Sequence, residues 1–206
     1  AVRRFERILR IDEARSPYGY EALAVYYRDT GNTAKERESY LLAIRHEENT
    51  RYLVRLAQLD LEARRWSQAQ TWATRAVESD TASALAFGVL AQSMMHTAPD
   101  DTVHRLFRHA ISLESDVGTH YANYAAFLAD RNQSSEAMLV LEKAMVNAPD
   151  SPQVIYTLAI LQRELHMIPE SLENLERVRQ LDPYGIWGAK AEEAQKKLIL
   201  APSLSH

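Results

Sequence analysis

No cysteine occurs among the 206 residues of this chain. Disulfides, thiolate metal ligands and a thiol nucleophile are therefore excluded. Glycine and proline are scarce, 6 and 7 residues, so long flexible linkers and Gly-rich phosphate loops have little to form from. The G-x-S-x-G, H-E-x-x-H, P-loop and G-x-G-x-x-G patterns are absent. Positive charge is not in surplus: 24 Lys and Arg stand against 28 Asp and Glu, a net charge of −4. Binding that rests on counterion release needs such a surplus, so a nucleic-acid partner is not expected. No apolar run reaches the roughly 18 residues that span a bilayer, and no direct membrane insertion is expected. The start, Ala1-Val2-Arg3-Arg4-Phe5, lacks both an initiator Met and the apolar segment of a secretory signal. The natural protein is expected to continue upstream, where a targeting segment could have been removed. The compartment stays open, with a soluble, cytoplasmic protein as the default.

What the chain does contain is a metre. Ala24, Ala57, Ala91, Ala125 and Ala159 follow one another at steps of 33, 34, 34 and 34 residues. Ala43, Ala76, Ala110, Ala144 and Val178 keep the same steps. Tyr20, Leu53, Phe87, Tyr121 and Ile155 stand four residues before each member of the first series. A fixed period of this size means stacked like units that bury their faces against their neighbours. In the stretch 117–150, Tyr121, Tyr124, Ala125 and Leu128 fall at i, i+3, i+4 and i+7, one face of a helix. Asp130-Arg131-Asn132-Gln133-Ser134 is a polar break. Ala137, Leu141, Ala144 and Met145 share the face of a second helix, and Pro149 stops it. Each unit is thus helix, turn, helix, turn. The small residues let two helix backbones approach, and the bulky ones fill the space around that contact.

Capping residues agree with these bounds. Ser16-Pro17 and Ser151-Pro152 place a hydroxyl at the N-cap and proline at the first helical position. Thr33 and Glu36 have capping-box spacing, and Gly31 stands where a helix would stop. The turn Thr97-Ala98-Pro99-Asp100-Asp101 has proline where the first has glycine and is expected to differ in shape. The 33-residue step predicts a connection one residue short between Arg45 and Thr50.

The unit resembles the tetratricopeptide repeat, with its pattern W-x2-L-G-x2-Y…A-x3-F…P. The counterparts are Tyr20, Leu23, Ala24, Tyr27, Glu36, Tyr40 and Ala43 in the first unit. They continue as Leu53, Leu56, Ala57, Asp60, Ala69, Ala73 and Ala76, and later as Tyr121, Tyr124, Ala125, Leu128, Ala137, Leu141, Ala144 and Pro149. Asp60 and Gln162 replace the usual aromatic, and Glu36 and Ser171 the usual small residue. The resemblance implies an all-α fold with no β-sheet, a right-handed superhelical α-solenoid of antiparallel helix pairs over 1–206. Full repeats are expected at 17–49, 50–83, 84–117, 118–151 and 152–184. Residues 1–15 read as the second helix of a cut repeat, 185–200 as a capping helix anchored by Trp187, and 201–206 as a tail.

The resemblance also implies a function. First helices line a groove that takes a peptide segment or helix of a partner protein. The residues expected there are Arg51, Arg55, Gln58, Val89, Gln92, Asn123, Ala126, Tyr156 and Ile160. The Lys and Asn pairs that clamp chaperone C-termini in one subfamily have no counterpart: Glu21/Val25, Val54/Gln58 and Gly88/Gln92 stand in their places. His104 and His109 are five apart, not the four of a helical metal pair. The expectation is a non-catalytic scaffold without metal or cofactor. Rival readings are a docking or regulatory arm of a larger enzyme and, against the acidic balance, an RNA-binding helical repeat. The apolar residues near Phe5 also point to self-association through the exposed half-repeat.

Overall fold

The computed structural model describes residues 17–200, so the half-repeat before Ser16, the Ser16 cap and the tail from Ala201 lie outside the described residues. The eleven helices described are α1 (Pro17–Asp29), α2 (Thr33–Ala43), α3 (Thr50–Glu62), α4 (Trp66–Ser79), α5 (Ala84–Met94), α6 (Asp100–Leu113), α7 (Gly118–Asp130), α8 (Ser134–Asn147), α9 (Pro152–Glu164), α10 (Ile168–Leu181) and α11 (Ile186–Leu200). There is no strand among the described residues. The chain divides into two compact units, one ending at Ala110 and the other beginning at Ile111.

In the first unit, α1 pairs with α2 and α3 with α4, and α5 packs on both α3 and α4. Leu53, Val54, Ala57, Ala73, Ala76, Ala86 and Val89 form one buried cluster, while Ala24, Tyr40, Ala43, Tyr52, Leu56 and Leu59 form another. In the second unit, α7 pairs with α8, α9 with α10, and α11 covers α10. Ile155, Ala159, Leu175 and Val178 are buried there with Ala191 and Ala194, and Trp187 packs against them as the anchor of α11. All ten metre positions are at most 1% exposed. They are the contact points at which the helix backbones meet.

The turns inside the pairs share one device. Gly31, Arg64, Asn132 and His166 have positive φ, 71°, 56°, 59° and 61°. Each reverses the chain just after a first helix, and the next amide bonds back to a carbonyl five residues earlier, as Arg65 N–H does to Asp60 O at 2.7 Å. The turn before α6 is different, as its proline predicts. Among the described residues no positive φ occurs there, and Thr97 and Ala98 both donate to Met94 O at 3.0 Å. A residue before proline is steered away from helical geometry.

Two local expectations need correction. The N-cap of α2 is Asn32, whose side chain accepts from Lys35 N–H; Thr33 is already helical, and Glu36 turns to an arginine instead of closing a capping box. The 33-residue step does not shorten the connection. It shortens the helix: α2 has 11 residues where α4, α6, α8 and α10 have 14. The chain leaves α2 through a tighter turn, with Arg45 N–H bonded to Leu42 O and His46 N–H to Ala43 O. Ser151 caps α9 as expected, accepting from Val154 N–H with Pro152 at the first helical position.

Candidate functional site

On α3 of the first unit, Arg55 lies half-buried and bonds the Glu36 carboxylate twice, Nε to Oε1 at 2.7 Å and Nη2 to Oε2 at 3.2 Å. Its Nη1 reaches Glu62 at 3.3 Å and Gln58 at 3.4 Å. Burial pulls the Arg55 guanidinium down, but the bonded Glu36 and the charges around it more than offset this, so it sits above its usual value. Arg51 is exposed in the first turn of α3. Gln92 is half-buried on α5. Val89 is 3% exposed and packs with Leu53 and Val54, so it offers a partner almost no surface; its role is packing. The structure therefore joins Arg55 to Gln58 but commits Arg55 to two carboxylates of its own chain.

In the second unit, Asn123 is half-buried and accepts from Gln153 Nε2 at 3.1 Å, while Thr119 donates to Gln153 Oε1 at 3.0 Å. A polar ladder thus crosses from α7 to α9. Ala126 is exposed one turn along α7. Tyr156 is half-buried with its ring 5.5 Å from that of Trp187, and burial raises its hydroxyl above the usual phenol range despite the nearby Arg163. Ile160 packs partly against the cluster around Ile155.

A second constellation was hidden in the sequence. Asp60 is fully buried on α3 and takes five contacts from three donors. Arg37 gives Nε at 2.8 Å and Nη2 at 3.2 Å. Arg65 gives Nε at 2.8 Å and Nη2 at 2.6 Å. Trp72 Nε1 closes the set at 3.1 Å. Glu36 and Arg37 are neighbours on α2, and Arg55 and Asp60 lie on α3, so the two helices exchange acid for base in both directions. Glu36 and Asp60 are the very positions that depart from the repeat pattern; nothing in the pattern said which arginines would answer them. The other two departures are also answered within the chain: Ser171 Oγ donates to Ala159 O at 2.7 Å, and Asn174 donates to Gln162 at 2.8 Å. No cluster of His, Cys, Asp and Glu suited to a metal ion, and no helix long and apolar enough to cross a membrane, occurs among the described residues.

No family model matches the chain, and no curated protein matches it. Solved structures do. A tetratricopeptide repeat protein from Parabacteroides merdae is 15% identical, with a TM-score of 0.79 over 95% of this chain and 75% of its own. TTC0263, described as a thermophilic TPR protein of Thermus thermophilus, is 14% identical, with a TM-score of 0.78 over 90% of this chain and all of its own. The Cut9–Hcn1 hetero-tetramer structure matches at 13% identity and a TM-score of 0.69, over 96% of this chain but only 38% of that one. The paired helices, the buried metre and these likenesses together establish that the chain has the tetratricopeptide-repeat fold.

Proposed function

We propose that the protein is an interaction scaffold that holds a segment of a partner protein on the first-helix faces of its repeats. One observation carries this reading: the ten metre residues are buried, while neighbours of theirs on the first helices, Arg51, Gln92 and Ala126 among them, keep surface. Ala125 is 1% exposed, whereas its neighbour Ala126 is exposed. In the first unit the face comprises Arg51, Arg55, Gln58 and Gln92, over the packed Val89. In the second it comprises Asn123, Ala126, Tyr156 and Ile160. Asn123 and Gln153 suit main-chain amides of an extended segment, and Tyr156 offers an aromatic anchor. One structure with a chain of this fold is a hetero-tetramer, Cut9–Hcn1.

The test compares the chain with Asn123→Ala plus Tyr156→Ala in affinity capture, with circular dichroism to confirm that both are folded. A partner held by the parent and lost by the double variant is expected. Partners retained equally by both would sink the assignment of this face.

A further inference from the structure

α8 carries an outer stripe unlike that of the other second helices described. Ser135, Leu139, Glu142, Lys143 and Val146 are all exposed and fall within a sector about 100° wide around the helix axis. Leu139 is 64% exposed and Val146 80%. An exposed leucine alone needs no explanation. This pair does, because the repeat supplies four controls for each position. The residues that the repeat steps make equivalent to Leu139 are Glu38, Thr71, Arg105 and Glu173. Those equivalent to Val146 are Arg45, Glu78, Ser112 and Gln180. All eight are exposed and all are polar. α8 departs from them at both places, about two helical turns apart on one line.

The charges beside that line are unpaired as well. On α11, Glu192 pairs with Lys196 and Glu193 with Lys197, at the spacing that brings side chains together. Glu142 and Lys143 are adjacent in sequence, so they flank the apolar line on opposite sides and do not meet. Neither has an ion-pair or hydrogen-bond partner among the described residues.

We infer that this stripe is a docking surface for a second copy of the chain, with the two α8 helices side by side and parallel about a two-fold axis. In that arrangement Leu139 meets Leu139 of the second copy and Val146 meets Val146. Each Glu142 then faces the second copy's Lys143, as flanking charges do in parallel two-stranded helix pairs. An antiparallel arrangement sets Glu142 against Glu142 and Lys143 against Lys143, so the charges select the parallel one. The contact uses one 14-residue helix from each copy. It lies at the low end of specific interfaces, below about 1,200 Å², so the dimer is weak, with a Kd on the order of 0.1 mM. None of these residues belongs to the first-helix faces, so the inference does not rest on the proposed function.

Sedimentation of the full chain from about 10 μM to 1 mM should show a monomer passing into a dimer. Leu139→Glu plus Val146→Gln, the residues that α10 carries at these positions, should stay monomeric throughout with an unchanged circular dichroism spectrum. Lys143→Glu alone should weaken the dimer about fivefold, because symmetry makes each lost pair count twice, and adding Glu142→Lys should restore it. The chain has no cysteine, so direction can be read by oxidation with glutathione disulfide. Leu139→Cys and Val146→Cys should each give a disulfide-linked dimer with itself, and Glu173→Cys, at the same position on α10, should not. A chain that stays monomeric to about 1 mM, a dimer that survives Leu139→Glu plus Val146→Gln, or Leu139→Cys that crosslinks to Val146→Cys in preference to itself would overturn the inference.

Discussion

At the scale of single residues, the most consequential group is Asp60. A buried carboxylate is tolerated only when its lone pairs are met and its charge is balanced. Arg37, Arg65 and Trp72 do both. Asp60→Ala removes the acid but leaves Arg37 partly buried, so the cost is that of a broken buried pair, about 3–5 kcal/mol, read as a lower urea midpoint. Gly188 shows a different constraint. A Cβ there would lie 1.9 Å from the backbone oxygen of Asp182. The close approach exists because the Asp182 carboxylate accepts from Trp187 N–H at 2.9 Å and Gly188 N–H at 3.3 Å, capping α11. Gly188→Ala is expected to lower the melting temperature by the equivalent of about 1–3 kcal/mol, the usual penalty of overpacking. Tyr52 supplies a pH effect. Burial and the hydrogen bond to Glu21 raise its hydroxyl above the ordinary value of 10.0. Above about pH 10 the unfolded chain releases this proton while the folded chain keeps it, so stability falls as pH rises. Alkaline unfolding should show this fall, and Tyr52→Phe should make it shallower.

Among the elements, the turns separate what is legible in a sequence from what is not. Gly31 and Pro99 announce their turns, because glycine and proline restrict the backbone in known ways. Arg64 and His166 do not, since the fold forces positive φ on side chains that gain nothing from it. A left-handed residue costs about 1–2 kcal/mol, and glycine offsets part of its relief through about 0.5–1 kcal/mol of extra chain entropy. Arg64→Gly should therefore raise the unfolding free energy by about 0.5 kcal/mol, seen in paired denaturant melts. No gain, or a loss, would show that the Arg64 side chain supports the turn in a way its contacts do not reveal. The short α2 makes the same point. The missing residue was visible in the metre, but whether helix or connection gives it up depends on local hydrogen bonds around Leu42 and Ala43.

For the whole molecule, the repeat architecture could be read from ten residues, because a period of packing positions has one physical cause. The candidate face could not be read so well. Val89 falls on the expected stripe yet is buried, since it packs against Leu53 and Val54 of the preceding helix pair. Arg55 is on the stripe as well, but two carboxylates of its own chain hold it. Helical spacing gives direction around one axis; burial also depends on what packs from above, and charge availability on partners distant in sequence. The central claim is that the metre packs while exposed neighbours such as Ala126 and Arg51 are available for recognition. The most direct test is the thermal unfolding of Ala125→Leu beside Ala126→Leu, adjacent residues on α7. Ala125→Leu should lose about 1–3 kcal/mol or more from overpacking, and Ala126→Leu should stay within about 0.5 kcal/mol of the parent. Equal losses at both positions, or a stable Ala125→Leu, would contradict the account.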